Sequence, residues 1–343
     1  MKALVLEEYN KLIYKDMPAP IFARNEVLVK VKACGICGSD VHGMDGSTGR
    51  RKPPLIMGHE ASGEIAGCGG EVSGWNVGDR VTFDSTIYPL DDWFTLKGFY
   101  NLSENRQVLG VSTDEYCRHG AFAEYVAIPQ HILYKIPDKV AFEQAAMVEP
   151  VAVAMHAVNR PHLQLGESAV VVGTGMIGLF IVQLLALSGI SPVIAVDVDK
   201  NKLALAKKFG ADEVINPEKS NSGDIVKRLT GNRGADLVFE AVGVTPTVNT
   251  AINLVRKGGK VVLVGNLSPK IEFPLQSVVA REIKVLGSCA IRGEYDAVLK
   301  LIEAGKISVD EMISAVAPLS EGSEWFHRLY GKEPGLNKVI LIP

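Results

Sequence analysis

The spacing of hydrophobic residues changes about 150 residues into the chain. Before that point the patterns are short: Glu26–Lys32 alternates apolar and polar side chains at every second position, as a strand with one buried face does. Arg80–Phe83 and Phe122–Ile128 have the same strand-like character, and Ala61–Gly78 is rich in glycine, which favours tight turns. Residues 1 to about 150 are therefore predicted to be β-rich.

Beyond residue 150 the pattern alternates between strands and helices. Ser168–Gly173 is a short, continuous apolar run, typical of a strand buried on both faces, and the apolar, helix-like Leu179–Ser188 follows it. Such alternation predicts a parallel, doubly wound sheet. The remaining predicted strands are 193–197, 213–215, 236–240, 260–264 and 283–286, and the remaining helices are 200–209, 224–229, 247–256 and, near the end, 294–304.

Composition narrows the class of protein. A chain of 343 residues is expected to form two domains, because a single core seldom grows beyond about 250–300 residues. The net charge is −3, and neither a basic tract nor an apolar run long enough for a bilayer is present, so we expect no nucleic-acid or membrane partner. The first residues lack an apolar signal core, which predicts a cytoplasmic protein. The five cysteines do not have the pattern of a disulfide scaffold.

Candidate metal ligands are concentrated between Cys34 and Glu60. A thiol at Cys37, an imidazole at His59 and the Glu60 carboxylate are the donor types that a tetrahedral zinc with an exchangeable position prefers. Cys34 and Cys37 alone could equally be a redox pair or two buried thiols. Ser39, His42, His59 and Glu60 argue against that alternative, because polar groups at this density are unlikely in a core.

A glycine fingerprint begins the second half of the chain. Gly173, Gly175 and Gly178 follow a predicted strand and open a predicted helix, and an acidic strand end, Asp197, comes 19 residues after Gly178. The three glycines suit a tight turn, a close approach to a pyrophosphate and helix–strand packing, respectively. The helix N-terminus, which includes Met176 and Ile177, would present free N–H groups to the phosphates. Glycines that serve only a tight turn are the alternative.

The acidic residues after the second strand indicate which dinucleotide binds. Asp197 can accept hydrogen bonds from the adenosine ribose hydroxyls, and the same carboxylate would repel a 2′-phosphate. Asp199 adds to that repulsion. The sequence therefore predicts NAD rather than NADP as the cofactor.

Two motifs also carry a family resemblance. Gly58–Gly63, followed by Gly69 and Val72, resembles the zinc alcohol dehydrogenase signature of the medium-chain dehydrogenase/reductase superfamily, and Gly35–Asp40 resembles its first zinc-ligand loop. The likeness extends over essentially the whole chain. It implies a chaperonin-10-like, β-rich catalytic domain at residues 1–150, to which 290–343 return, and a Rossmann domain at 151–289 that binds NAD.

The resemblance also implies roles for site residues. Cys37 and His59 would bind one catalytic zinc, and Glu60 and Glu149 would bind it directly or through water; Glu149 stands where classical alcohol dehydrogenases have cysteine. An ordinary helix N-terminal glutamate is the alternative for Glu149. Ser39 and His42 resemble the proton relay of the family, although His42 could be an ordinary surface histidine.

Further positions have both a functional and an ordinary interpretation. Asp40 would orient His59 from behind or cap a turn. By resemblance, Lys202 lies where a basic residue contacts the ribose or adenine region, and it could equally be a solvated helix lysine. Val264 and Gly265 end a strand on the nicotinamide side, where plain strand-end packing is the alternative.

One segment departs from the family pattern. Where many members carry four cysteines that bind a second, structural zinc, this chain has Pro89, Asp92, Thr95 and Ser103. We therefore predict one zinc per subunit, with no structural zinc. The lobe would instead be held by aromatic packing through Trp93, Phe94, Phe99 and Tyr100.

Taken together, the resemblance implies zinc-dependent oxidation of a secondary alcohol by NAD, most similar to the sorbitol-type polyol branch. Zinc, nicotinamide and a small-molecule substrate are predicted to meet between the two domains. A threonine 3-dehydrogenase-like activity and a sugar-phosphate dehydrogenase remain alternatives, as does a non-catalytic dinucleotide-binding protein on the same fold. A homodimer or homotetramer is expected, with Ile271–Pro274 as a candidate edge strand.

Overall fold

The computed structural model describes residues 1–343, which divide into two compact units: residues 1–149 with 291–343, and residues 150–290. The strands are β1 Lys2–Glu8, β2 Lys11–Asp16, β3 Glu26–Gly35, β4 Leu55–Ile56, β5 Glu60–Cys68, β6 Arg80–Phe83, β7 Thr86–Ile87, β8 Gln107–Val108, β9 Val111–Ser112, β10 Cys117–Arg118, β11 Tyr125–Pro129, β12 Leu133–Lys135, β13 Ala169–Val172, β14 Val193–Val196, β15 Glu213–Ile215, β16 Ala235–Glu240, β17 Val255–Leu263, β18 Lys284–Gly287, β19 Ile313–Pro318 and β20 Lys338–Ile342. The α-helices are α1 Gly38–Gly43, α2 Trp93–Leu96, α3 Phe142–Ala146, α4 Val148–Asn159, α5 Met176–Leu187, α6 Lys200–Lys208, α7 Ser222–Leu229, α8 Thr245–Leu254, α9 Leu275–Ala280, α10 Tyr295–Glu303 and α11 Gly322–Tyr330. Short 3-10 helices lie at Tyr100–Leu102, Gln130–Ile132, Asp310–Met312 and Leu319–Glu321. No helix has the length and apolar character needed to cross a membrane.

The first unit is built around β3. This strand is central to a seven-stranded sheet of order β12-β6-β5-β3-β20-β19, in which β11 also pairs with β3. The alternation predicted for Glu26–Lys32 is visible in its burial, since Val27, Val29 and Val31 all lie in the hydrophobic core. A second, three-stranded sheet has the order β2-β1-β4. The predicted β-rich, chaperonin-10-like domain is confirmed.

The second unit is a six-stranded parallel sheet of order β15-β14-β13-β16-β17-β18. All four residues of β13 are buried, as a strand at the centre of a doubly wound sheet requires. The order reverses between β13 and β16, and the carboxyl ends of all six strands lie at one edge because every pairing is parallel. The predicted Rossmann architecture is confirmed.

Two predicted elements of the second unit are wrong in detail. Helix α8 ends at Leu254, so Val255 and Arg256, which the helix prediction of 247–256 included, begin β17 instead. Ile271–Pro274 forms no strand. Pro274 has no backbone N–H to donate to a neighbouring strand, and β18 is the edge of the sheet on that side.

Two corrections concern the first unit. After residue 289 the sequence predicted one helix, but the structure also contains α11 and β19. The prediction missed α11 because its amphipathic pattern is short and is interrupted by charged residues. In the lobe, Trp93 is 64% and Phe99 40% exposed, so neither is anchored in a core. They make surface contacts instead: Trp93 packs edge to face on Phe94, with ring centroids 5.0 Å apart, and the Arg292 guanidinium lies over the Phe99 ring. Tyr100 does hold it: its ring stacks on Tyr88, and its hydroxyl donates to Asp84 at 2.8 Å.

Candidate metal centre and cofactor edge

Three potential ligands meet in the first unit. Ligand atoms of Cys37, His59 and Glu60 all lie within 4.8 Å of one another. Cys37 occupies the N-cap position of α1, two residues after the end of β3, while Glu60 opens β5. The antiparallel register pairs Gly35 with Glu60, which places the end of β3 beside the start of β5. Residues more than twenty positions apart in sequence are thus brought together by strand pairing.

Gly35 makes room for the Glu60 side chain. A Cβ atom at position 35 would lie 2.5 Å from Glu60 Oε2, a separation that real Cβ atoms essentially never show. Any larger residue would displace the carboxylate from the ligand group. The glycine of the first motif therefore has a packing reason as well as a place in the family signature.

A second layer of charge lies behind His59. Asp40, on α1 and fully buried, approaches His59 Nδ1 with Oδ2 at 3.4 Å, an ionic contact longer than a hydrogen bond. Burial acts to raise the pKa of Asp40, but the charges of His59 and Arg51 outweigh it and hold that pKa at about 2. Arg51 donates to Asp40 Oδ1 through Nε at 3.2 Å and through a terminal nitrogen at 2.9 Å. His59 Nε2 is left for a ligand.

Lys338 completes the group from the other end of the chain. It lies on β20, is 3% exposed, and its Nζ forms an ion pair with Glu60 Oε2 and donates to the Ile36 carbonyl at 3.1 Å. Burial acts to lower the pKa of Lys338, but the charges of Glu60 and Cys37 raise it overall. Sequence analysis missed both Lys338 and Arg51. Neither stands in a motif, and their partners are reached only through the fold.

The structure separates the two cysteines of the Cys34–Cys37 pair. Cys34 is fully buried on β3, and burial raises the pKa of its thiol well above the usual range. Cys37 is half-buried and belongs to the ligand group. No disulfide joins them. Cys34, buried and protonated, is therefore a core residue. Of the two cysteines, only Cys37 is placed to bind a metal.

Glu149 lies near this group but outside the 4.8 Å cluster. It is 9% exposed, in the first turn of α4, and accepts a hydrogen bond from Ser85 Oγ at 3.1 Å. Burial raises the pKa of Glu149 to about 7, and His59 opposes that shift. Three of the four predicted ligands therefore form one group, and the fourth, Glu149, lies outside that group and is hydrogen-bonded to Ser85.

The predicted proton relay lies on α1. Ser39 and His42 are both exposed, three positions apart, on the face of this helix opposite to the buried Asp40. Ser39 Oγ accepts a hydrogen bond from Arg51 at 3.3 Å. One short helix thus holds a buried carboxylate behind His59 and two exposed groups that can exchange protons with solvent.

These residues fit a zinc ion. The donor set is a thiol, an imidazole and a carboxylate, the types that catalytic zinc sites use. Burial acts to lower the pKa of His59, yet the charges of Asp40 and Cys37 raise it well above the usual range. A buried pocket that favours a positive charge so strongly is suited to a divalent cation. Asp40 supplies the carboxylate that usually stands behind a ligating histidine.

The second unit holds the predicted cofactor residues at the carboxyl edge of its sheet. Gly173 follows β13 with φ +90°, a conformation that glycine adopts readily, and Gly175 is the N-cap of α5. Met176, Ile177 and Gly178 form the first turn of that helix. Its N-terminus therefore presents backbone N–H groups at this edge.

Asp197 lies next to the glycine loop. Its Oδ2 accepts hydrogen bonds from Thr174 N at 2.7 Å and Thr174 Oγ1 at 3.0 Å, and its Oδ1 accepts from Asp199 N at 2.9 Å. These bonds fix the carboxylate beside the end of β14. Asp199 caps α6 by accepting from Asn201 N and Lys202 N.

The other predicted cofactor residues are placed as follows. Lys202 is half-buried in the first turn of α6. Val264 and Gly265 directly follow β17, and both of their N–H groups donate to the Glu240 carbonyl, at 2.9 and 3.0 Å. All three positions lie near the carboxyl ends of strands, where open α/β sheets bind ligands.

Comparison with known proteins agrees with both units. Residues 23–138 match the alcohol dehydrogenase GroES-like domain, and residues 177–304 match the zinc-binding dehydrogenase domain. The chain is 33% identical over 327 residues to D-arabitol-phosphate dehydrogenase of Enterococcus avium, covering 94% of this chain and 91% of the relative. It is 35% identical over 336 residues to D-xylulose reductase A of Aspergillus oryzae, covering 95% and 93%.

A solved structure supports the same assignment. A protein from Sinorhizobium meliloti 1021, described as a zinc-binding dehydrogenase and bound to NADP, superimposes with a TM-score of 0.89 at 31% identity and covers 100% of this chain and 99% of its own. Two domain matches and relatives above 30% identity over nearly the full length agree with the site geometry. The chain therefore belongs to the zinc-binding alcohol dehydrogenase family, whose medium-chain, polyol-type members it resembles.

Proposed function

We propose that this enzyme oxidises a secondary hydroxyl of a sugar alcohol to a ketone and transfers the hydride to NAD. The observation that carries the proposal is the group of Cys37, His59 and Glu60, backed by Asp40 and Lys338. The names of the relatives, a D-xylulose reductase and a D-arabitol-phosphate dehydrogenase, support a polyol as the substrate class.

Cys37 and His59 would hold the zinc, with Glu60 and Glu149 as further ligands or near neighbours. Zinc, when bound, supplies a Lewis acid that lowers the pKa of an alcohol towards neutrality. Lys338 keeps the Glu60 carboxylate in place, and Arg51 holds Asp40 behind His59. The oxidation releases a hydride from carbon to NAD and a proton from oxygen.

Ser39 and His42 would carry that proton away. Ser39 accepts from Arg51, so its own hydroxyl hydrogen is available to another acceptor. His42 is exposed on the same helix, and histidine exchanges protons near neutral pH. Substituting His42 by Gln should lower the rate of oxidation near neutral pH and have less effect at alkaline pH, where hydroxide can accept the proton instead.

NAD rather than NADP is proposed as the cofactor. The Asp197 carboxylate lies beside the glycine loop, which supports a role in binding the adenosine ribose, and it would repel a 2′-phosphate. The NADP-bound relative makes this a sharp test. Asp197→Ser should lower kcat/KM for NAD and raise it for NADP, whereas a wild-type preference for NADP would refute the proposal.

The reaction itself is tested with a panel of pentitols, hexitols, their phosphates and L-threonine, followed by NADH absorbance on zinc-replete protein. Turnover of a polyol that is lost on chelation and in Cys37→Ser is expected. Cys68→Ser, at an exposed cysteine, is the matched control and should retain activity. Activity that survives chelation would exclude a zinc role. NAD binding without turnover of any alcohol would favour a non-catalytic dinucleotide-binding protein.

A phosphorylated polyol is the second candidate, because one relative at 33% identity is named for D-arabitol phosphate. The panel separates it from the free polyol by comparing kcat/KM for each alcohol and its phosphate.

We also propose a cytoplasmic homodimer or homotetramer that pairs through an edge of the cofactor sheet, where β18 is the last strand. Light scattering coupled to size exclusion measures that state.

A further inference from the structure

A buried carboxylate that no part of the reaction uses lies at the carboxyl end of β16. Glu240 is completely buried, and no lysine, arginine or histidine forms an ion pair with it. Its charge is met by backbone N–H groups instead: Oε1 accepts from Val242 N at 3.0 Å and Gly243 N at 2.9 Å, and Oε2 accepts from Gly243 N at 3.1 Å. An unpaired buried carboxylate is costly, so its presence needs a reason.

Glu240 joins two loops of the cofactor edge. Its side chain holds the loop after β16, and its backbone carbonyl accepts from the N–H groups of Val264 and Gly265, which follow β17. The loops also touch directly, because Ser268 N donates to the Gly243 carbonyl at 2.9 Å. One residue therefore fixes both loops through its side chain and its main chain.

The contact between these loops leaves no room for adjustment. A Cβ atom at Gly243 would collide with the backbone of Gly265 and Asn266, and a Cβ atom at Gly265 would collide with the backbone of Val242 and Gly243. Gly243 also has φ +86°. Such close backbone packing requires the Val242–Gly243 turn to keep one conformation, and that conformation is the one the Glu240 carboxylate binds.

The position of β16 in the sheet indicates which part of the cofactor this affects. The glycine loop after β13 and Asp197 after β14 lie on the side where the adenosine half binds. Because the strand order reverses between β13 and β16, the ends of β16 and β17 receive the other half of a dinucleotide.

We propose that Glu240 is a positioning residue for the nicotinamide half of the cofactor, and that it holds the loops after β16 and β17 in the conformation that receives this half. The inference rests on the proposed dinucleotide site. A glutamine has one acceptor oxygen where the carboxylate has two, and its NH₂ group would face the Gly243 N–H. Glu240→Gln should therefore loosen the turn without changing the size of the side chain.

The test compares two ligands on zinc-replete protein. NADH carries both halves of the dinucleotide, whereas AMP carries the adenosine half alone. Glu240→Gln should weaken NADH binding about tenfold, the size of one lost hydrogen bond to a charged group, and leave AMP binding unchanged. Amide hydrogen exchange at Val242 and Gly243 should be faster in the ligand-free variant.

Asp236→Asn is the matched control. Asp236 lies on the same strand, at its amino end, and accepts from Ser168 N at 2.9 Å and Arg256 Nε at 2.6 Å. Its loss should lower thermal stability but change neither NADH nor AMP affinity. Glu240→Asp keeps the carboxylate and should restore part of the NADH affinity; it also replaces the glutamine variant if that variant does not fold.

The outcomes separate this inference from the function on which it rests. Wild-type protein that binds neither AMP nor NADH would refute the dinucleotide site itself. If wild type binds both, equal NADH affinity in wild type and Glu240→Gln would refute the role of Glu240 alone. An equal loss of AMP and NADH affinity would also refute it, because that result describes general damage to the unit.

Discussion

Replacing Lys338 with methionine should destabilise the first unit strongly. The side chain of Lys338 is 4% exposed and that of its partner Glu60 is 1% exposed, so the substitution leaves a carboxylate buried without a countercharge. Removing one partner of a buried ion pair costs about 3–5 kcal/mol. Methionine has nearly the length of the lysine stem, so a cavity contributes little to the loss.

Tryptophan fluorescence measures this loss in the unit that carries the pair. The three tryptophans, Trp75, Trp93 and Trp325, all lie in residues 1–149 or 291–343, and none lies in the cofactor unit. Urea unfolding of chelator-treated protein, followed by their emission, therefore reports the first unit alone. Metal-free protein is needed because zinc binding would stabilise the folded state by mass action.

Two further variants decide the cause. Lys2→Met removes an ion pair with Asp16 in which the two side chains are 43% and 78% exposed, so the loss of stability should be far smaller than for Lys338→Met. The double variant Glu60→Gln with Lys338→Met removes both charges and should recover most of the stability lost in the single variant. A loss for Lys338→Met no larger than for Lys2→Met, or no recovery in the double variant, would refute the reasoning.

Three other predictions concern the first unit. Burial raises the pKa of Asp84 to about 6 from 3.8, so the folded state binds that proton more tightly than the unfolded state. The stability that this group contributes is present at pH values below about 4 and is lost, by about 3 kcal/mol, as pH rises through 6. Asp84→Asn should flatten the free energy of unfolding in urea against pH over that range. An unchanged slope in the variant would contradict the assignment. Thiol labelling read by mass spectrometry should modify Cys37 only after chelation and leave the buried Cys34 unmodified in folded protein. Labelling of Cys37 at the same rate in zinc-replete and chelated protein would exclude it as the ligand. Asp40→Asn should weaken zinc binding 10- to 100-fold in competition with a chromogenic chelator, and unchanged affinity would show that Asp40 does not orient His59.

Local patterns predicted the parts of the site that are local in the fold. The glycine loop, Asp197 and the strand before them belong to one continuous unit, so their spacing carries their geometry. The donor loop of Cys37 and the pair His59–Glu60 are also predicted, because each carries its donor atoms in a short motif. That the two motifs meet depends on the pairing of β3 with β5.

Other predictions failed because tertiary context outweighed the local pattern. Apolar residues in Ile271–Pro274 suggested a strand, but a strand needs a neighbour, and β18 already occupies the edge of the sheet. The aromatic residues of the lobe predict a packed cluster, but the structure has separate contacts: Trp93 packs on Phe94 at the surface, and only Tyr100 reaches a buried acceptor, Asp84. Amino-acid type alone does not indicate which aromatic side chain has a partner.

The residues that sequence analysis missed explain why the metal site has the charge it has. Arg51 lies 11 residues from Asp40 and Lys338 lies 278 residues from Glu60, so no motif links them to the ligands. Without them, the carboxylates of Asp40 and Glu60 would be buried beside His59 with no permanent positive charge nearby. Arg51 pairs with Asp40 and Lys338 pairs with Glu60, so each buried carboxylate has its own countercharge. The two cations therefore hold these carboxylates in place beside the metal-binding group, and a contact between residues so far apart in sequence becomes visible only in the folded chain.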